Sequence, residues 1–245
     1  MKKCPNCNET ISTTFKFCPS CGQEASLDQS VSSLLTHFLS DYFTFDSKII
    51  RSVLPLISKP AFLTKEYLKG KRVQYIAPFR LFIFLSLIFF LLLSWSNSSS
   101  VSMVEEVNGF NEAFWNRFFD SWLPKLFFLL LPLFALIIAW LYRRQKRGMM
   151  PHFLFSLHVH SSLFFMGIIY ALVSYVFRKL DWVIFNEILL GVCGLYLAYY
   201  LWKSLRRMYA ESRLKTTWKF TVLVILYGLL LVASTFILLL FSYNY

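Results

Sequence analysis

No Gly-rich phosphate loop, no nucleophile elbow and no Cys/His dyad outside one N-terminal cysteine cluster occurs in this sequence, so the familiar nucleotide-binding and acyl-transfer signatures are missing. Acidic residues are scarce. The chain of 245 residues has 13 Asp and Glu against 25 Lys and Arg, a formal net charge of +12. Cysteine is scarce after residue 21: four of the five lie within the first 21 residues, and Cys193 falls inside an apolar block, where it reads as a small packing residue. A secretory leader is not visible, because Cys4, Asn6, Cys7, Asn8 and Glu9 follow Lys2 and Lys3 where an apolar core should stand. The N-terminus is therefore expected in the cytoplasm, where thiols stay reduced.

What the chain has in excess is apolar sequence. Hydrophobic residues make up 57% and aromatics 19%, against roughly 45–50% apolar residues in a soluble domain. They are gathered into blocks of about twenty, the length that crosses a ~30 Å hydrocarbon core as a helix. Five spans are predicted, at about 79–95, 126–142, 153–177, 183–202 and 218–241, the second containing Pro132. Trp95, Trp122, Trp140, Trp182, Trp202 and Trp218 stand near block ends, as amphipathic rings do at headgroup level. The expected fold is an all-α polytopic membrane protein with a small N-terminal Cys4 zinc ribbon and interfacial amphipathic helices. Residues 1–23 form the ribbon, 24–77 a linker with interfacial helices, and 78–245 the transmembrane domain.

Orientation follows from the basic residues. Eleven Lys and Arg precede or edge the first span, four follow the second span and five follow the fourth, while the alternate loops carry two each. The positive-inside rule then places the ribbon in the cytoplasm and the C-terminus outside, in a bacterial-type inner membrane. The same excess charge fits anionic lipid headgroups better than nucleic acid, which is not expected as a partner.

Cys4-x2-Cys7 and Cys18-x2-Cys21 carry the clearest chemistry. Each CxxC knuckle aims two thiolates at one point, and two knuckles close a tetrahedron around one structural Zn(II). Metal binding supplies the folding free energy that so small a unit lacks. A disulfide pair or a redox CxxC is the competing reading.

Between ribbon and first span, Val31, Leu34, Leu35, Phe38, Leu39, Tyr42 and Phe43 repeat at helical spacing, which predicts an amphipathic helix too polar to span. A second segment starts at Asp46 and ends at Lys59-Pro60, and a third runs over Leu63–Lys69 and stops at Gly70. An aromatic stretch, Phe110–Trp122, follows the first span. Lys65, Lys69, Lys71, Arg72, Tyr75 and Arg80 are the candidate lipid- or phosphate-anchoring set, with residues 31–77 lying along the cytoplasmic leaflet.

The run Tyr67, Leu68, Gly70, Lys71, Arg72, Tyr75, Pro78, Arg80 and Leu81 resembles the signature of an uncharacterised bacterial membrane-protein family. Its members pair an N-terminal zinc ribbon with this motif at the entrance to the first span. The resemblance covers about the first 90 residues specifically, and beyond them extends only to hydropathy and a His-containing third span. The chain departs from the family near Arg51-Ser52, where the pattern has Thr or Arg-Thr, and at Pro60-Ala61, where it has Pro-Gly. The family implies no activity.

His158, His160 and Glu187 are ionisable groups at membrane depth, with His152 at the entrance, and the four form a candidate intramembrane polar site. Such groups should face the bundle interior. They suggest a proton or ion path, interhelical hydrogen bonding or, least well, a metal site. Three functional readings follow. The leading one is a scaffold, adaptor or regulatory membrane protein whose ribbon recruits a cytoplasmic partner. The others are a small-solute or ion transporter or channel using the third span, and an intramembrane lipid-modifying enzyme.

Overall fold

The computed structural model describes residues 1–24, 48–100 and 122–243. The amphipathic segment Val31–Phe43, Asp46, residues 101–108 of the serine-rich loop and the aromatic stretch up to residue 121 lie outside them.

The N-terminal unit pairs β1 (Lys2–Lys3) with β2 (Thr10–Ile11), antiparallel, with Lys2 opposite Ile11. A single bridge joins Phe17 to Glu24. Its apolar centre is Cys4, Ile11 and Cys18. The other described elements are helical: α1 (Lys48–Ser58), α2 (Phe62–Leu68), α3 (Pro78–Ser100), α4 (Leu123–Leu141), α5 (Met149–Lys179), α6 (Val183–Tyr209) and α7 (Arg213–Tyr243). The last five are long and apolar enough to cross a membrane. Both α5 and α7 have 31 residues, a length of ~46 Å at 1.5 Å per residue, so they overrun a ~30 Å core. Hydropathy reads the depth of the lipid, whereas the helix continues into its polar flanks. That is why the helices outrun the apolar blocks.

Helix α5 is the hub. Its Phe164 is ringed by Phe82 at 5.6 Å, Phe89 at 5.4 Å, Phe90 at 5.5 Å and Phe127 at 5.2 Å. Gly167 lets α3 come close, since a Cβ there would lie 2.5 Å from the Phe89 ring. The pairs Phe82–Phe164 and Trp95–Tyr175 show α3 and α5 running parallel, with Pro78 about level with His160. Antiparallel α4 returns past α5 through Phe127–Phe164 and Phe134–His160. Helix α6 turns back at Phe177–Trp182 and ends where Tyr209 meets His152. At the ends that carry the basic loops, Tyr142 stacks on Tyr209 at 3.7 Å, and Lys219, ion-paired with Glu211 at 2.7 Å, caps the Tyr142 ring at 3.9 Å.

Helices α1 and α2 form a hairpin on this bundle. Read from sequence, these short segments build no core of their own and lie on the leaflet. The structure gives them a second layer: Leu56, Leu63 and Ile76 share one core with Leu81, Phe82, Leu154 and Leu157. Helix α2 ends in a Schellman motif: the Gly70 N–H bonds the Tyr67 carbonyl and the Lys71 N–H bonds the Glu66 carbonyl, both at 3.0 Å. Gly70 sits at φ 95°, in the left-handed region. Both family departures fall at informative places. Ser52 is fully buried and its hydroxyl accepts the Ile76 N–H at 2.9 Å, a bond that threonine's hydroxyl can also make. Ala61 stands at φ 60°, a conformation that suits the glycine of the family pattern.

Candidate functional site

Four thiols converge at the N-terminus. The sulfurs of Cys4, Cys7, Cys18 and Cys21 all lie within 4.8 Å of one another. Cys4 and Cys21 are 3.7 Å apart, Cys7 and Cys18 3.6 Å. A tetrahedron with ~2.3 Å metal–sulfur bonds has edges of about 3.8 Å, so the donor set has the size of a Cys4 zinc site. These separations are far above the ~2.05 Å of a disulfide, and the cysteines are free.

The two knuckles are built alike. In the first, the Asn8 N–H bonds the Cys4 carbonyl at 2.9 Å, and the Cys4 N–H bonds the Glu9 carbonyl at 2.8 Å. In the second, Gly22 and Gln23 repeat this about Cys18, at 2.9 and 2.7 Å. Asn8 and Gly22, each next after the second cysteine of its pair, both take positive φ, which Asn and Gly tolerate best. Burial opposes ionisation of Cys4, but the N–H groups of Cys7 and Asn6 outweigh it and bring the thiol down to about 7. Cys7 receives the Glu9 N–H, which favours its thiolate; even so, desolvation and the three other sulfurs push it up to about 12. Four thiolates cannot crowd together without a cation between them.

The side chain of Gln23 ties the centre to the membrane domain. Gln23, 3% exposed, donates from Nε2 to the Gly70 carbonyl at 2.6 Å, and its Oε1 accepts the Arg72 N–H at 3.1 Å. Its own carbonyl holds the Cys18 knuckle, so one residue joins the sulfur cluster to the signature loop.

The predicted anchoring residues are placed around that loop. Lys69 and Lys71 both bond the carboxylate of buried Glu66, at 2.7 and 2.5 Å. Burial works against ionised Glu66, but the two ammonium groups outweigh it and hold its carboxyl below the usual range. Lys71 is raised in turn, by the hydrogen bond and charge of Glu66. Arg72 lies over the Tyr67 ring at 5.2 Å, and Tyr75 meets Phe62 edge-on at 6.0 Å. Lys65 is exposed, and Arg80 is half-buried in the first turn of α3.

The three histidines are buried on α5 and point to different neighbours. His152 Nδ1 is 2.7 Å from the Tyr209 hydroxyl on α6, and His158 Nδ1 is 3.0 Å from the Thr64 hydroxyl on α2. His160 Nδ1 lies 2.8 Å from the Ser156 carbonyl, and its Nε2 2.8 Å from the Tyr227 hydroxyl on α7. A carbonyl only accepts, so the Nδ1 of His160 carries the proton and a neutral ring takes the Tyr227 proton at Nε2. Glu187 is exposed near the opposite end of α6. The four groups predicted as an intramembrane polar site are not brought together.

Sequence reasoning missed several partners. Glu66 had a local signal, its i,i+3 spacing from Lys69 on a helix. Gln23 and Thr64 had none, because their partners are distant in sequence, whereas Tyr209 and Tyr227 are tyrosine partners of the kind expected for interhelical hydrogen bonds.

Residues 46–90 match the model of a family described as a protein of unknown function, DUF3667. The match spans α1, α2, the signature loop and the start of α3, and fits the resemblance to an uncharacterised family. No curated protein and no solved structure matches the chain.

Proposed function

We propose that this protein is a scaffold of the bacterial inner membrane that presents a cytoplasmic Zn(II) ribbon, fixed in place on the membrane domain, to a cytoplasmic protein partner. The Gln23 bridge carries this reading. A ribbon on a loose tether would serve capture alone, whereas one held by two hydrogen bonds between the buried Gln23 side chain and the Gly70–Arg72 turn has a set orientation. Four sulfur ligands leave no open position for water, which argues for a structural ion and against catalysis at the metal. The ribbon also carries two exposed aromatics, Phe15 at 51% and Phe17 at 60%, on either side of Lys16, the composition of a protein-docking surface. Basic loops at the ribbon end of the bundle support its cytoplasmic placement, with the C-terminus outside. The mutually packed rings around Phe164 weigh against a solute path past the histidines.

Co-purification from gently solubilised membranes tests the proposal. A partner recovered in fixed proportion with the intact protein should be lost with Phe15→Ser/Phe17→Ser, which spares the sulfurs, and with Cys18→Ser. Recovery of the same proteins from all three would defeat it.

A further inference from the structure

The hairpin of α1 and α2 has one face that no described residue covers. Ile50 is 78% exposed and Leu54 68%. They stand one turn apart on α1, opposite buried Ser52 and Leu56. Two bulky aliphatic side chains on an eleven-residue helix would be costly to leave in water.

The depth of this face can be read from contacts. Tyr200 of α6 donates to the Leu56 carbonyl at 2.5 Å, and Tyr196 to the Ile57 carbonyl at 2.8 Å. Helices α5 and α6 are antiparallel, and the pairs His152–Tyr209 and Phe177–Trp182 set Tyr200 about opposite His160. His160 is in turn level with Pro78, where the first span begins. Tyr196 is about one turn deeper, ~6 Å along the helix. The hairpin tip therefore sits at the depth at which the first span enters the apolar layer, not above it.

Its backbone is treated accordingly. At such depth, non-helical backbone is tolerated only where its polar groups are satisfied by protein. The turn has Pro60, with no N–H to satisfy, and buried Ala61. The carbonyls of Leu56 and Ile57, at the end of α1, are those taken by the tyrosines. On α6, exposed Leu195 and Tyr199 flank the tyrosines, so the apolar surface of α1 adjoins a span surface that already faces lipid. Basic groups rim this surface. Lys59 lies over the Phe62 ring at 5.3 Å, and Lys203 bonds the Tyr199 hydroxyl. Lys48 and Arg51 are on α1 itself.

We infer that α1 is a lipid-inserted element: Ile50 and Leu54 enter the acyl chains of the leaflet on the ribbon side, and the surrounding Lys and Arg meet its anionic headgroups. The partner of this face is phospholipid, neither water nor a second protein surface. The inference is independent of what the ribbon recruits.

The intact protein in bilayers containing an anionic phospholipid with a photoreactive group in its acyl chain gives the test. Adducts on residues 48–58 should match in density those on 195–199, and a water-borne radical probe should leave both segments unmarked. Ile50→Ser/Leu54→Ser should lower the adducts on 48–58 several-fold without changing those on 195–199. Two results would overturn the inference. One is marking of Ile50 and Leu54 by the aqueous probe but not by lipid. The other is protection from both reagents, which means that protein covers the face.

Discussion

Tyr200 donates its phenol proton to the carbonyl of Leu56 at 2.5 Å, taking the place of an amide that the chain does not have. The Lys59 N–H continues the α1 ladder by bonding Pro55. The next amide in that ladder would belong to residue 60, and residue 60 is proline. A side chain from another helix thus completes the end of α1. Tyr200→Phe should destabilise the protein by about 1–3 kcal/mol, the cost of an orphaned buried acceptor. In a Pro60→Ala background the ladder regains an N–H, and the same change should cost less. Thermal unfolding of the four proteins in one detergent measures the coupling. Strictly additive effects would mean that the tyrosine does not stand in for the missing amide.

Ala61 follows directly. Its φ of 60° places a Cβ where an L-residue is disfavoured, a penalty of roughly 1–2 kcal/mol that glycine escapes. The greater freedom of glycine in the unfolded chain takes back part of the gain, about 0.5–1 kcal/mol. Ala61→Gly is therefore expected to be neutral to mildly stabilising, and to raise the unfolding temperature of Tyr200→Phe in particular. Ala61→Val should lower it clearly.

Some of this architecture is visible in the sequence and some is not, for physical reasons. Cys4 and Cys7 are three residues apart, as are Cys18 and Cys21, so local geometry alone aims each pair, and spacing made their convergence legible. Spans were legible because the bilayer, not the rest of the protein, decides which residues are apolar. Gly70 was legible as a stop because its conformation is local. The hairpin was not, since nothing in residues 48–69 announces that α5 will supply its second layer. Nor did His158 advertise Thr64, 94 positions away. The anchoring lysines were read as free positive charge because Glu66 was passed over, and it neutralises part of that charge.

The Gln23 bridge makes a separable prediction. Gln23→Ala removes two hydrogen bonds but none of the sulfurs, so metal content should stay unchanged while the ribbon loses its fixed seat. Hydrogen exchange should then rise at Gly70–Arg72, with the amide of Arg72 responding first because its acceptor is gone. Equal exchange in both proteins would show that other contacts hold the ribbon.

The Glu66 cluster sets a pH dependence. Its carboxyl is held below the usual range in the folded protein, so its contribution is present above the unfolded value near ~4.3 and disappears as pH falls through the lower folded value. Lys71 is shifted upward. Its contribution is complete below an unfolded value near ~10.4 and fades as pH rises through the folded one. Between these limits the cluster should be indifferent to pH. Glu66→Gln should flatten the acid limb of a stability–pH curve and leave Lys69 and Lys71 without their shared partner. An unchanged acid limb would assign it to other carboxylates.

Metal removal should act on the ribbon alone. Its described apolar centre is Cys4, Ile11 and Cys18 with Cys21 against them, too little to fold on without the cross-link that an ion provides. The five long helices are packed through two apolar clusters, a phenylalanine-rich one around α3, α4 and α5 and a second that joins α4 and α5 to α6 and α7. Under reducing conditions the purified protein should contain one zinc per chain, and cobalt in its place should give the spectrum of a tetrahedral thiolate site. Chelation should then expose residues 1–24 to exchange and proteolysis while the helical signal and the unfolding of the bundle persist. Cys18→Ser should reproduce the chelated pattern, since Cys18 holds both a sulfur corner and the backbone bond to Gln23. Protein that contains no metal yet keeps residues 1–24 protected would defeat the metal reading and leave the four thiols without a role. Protein that loses its bundle together with its zinc would show instead that the ribbon, through Gln23, is an integral support of the membrane domain.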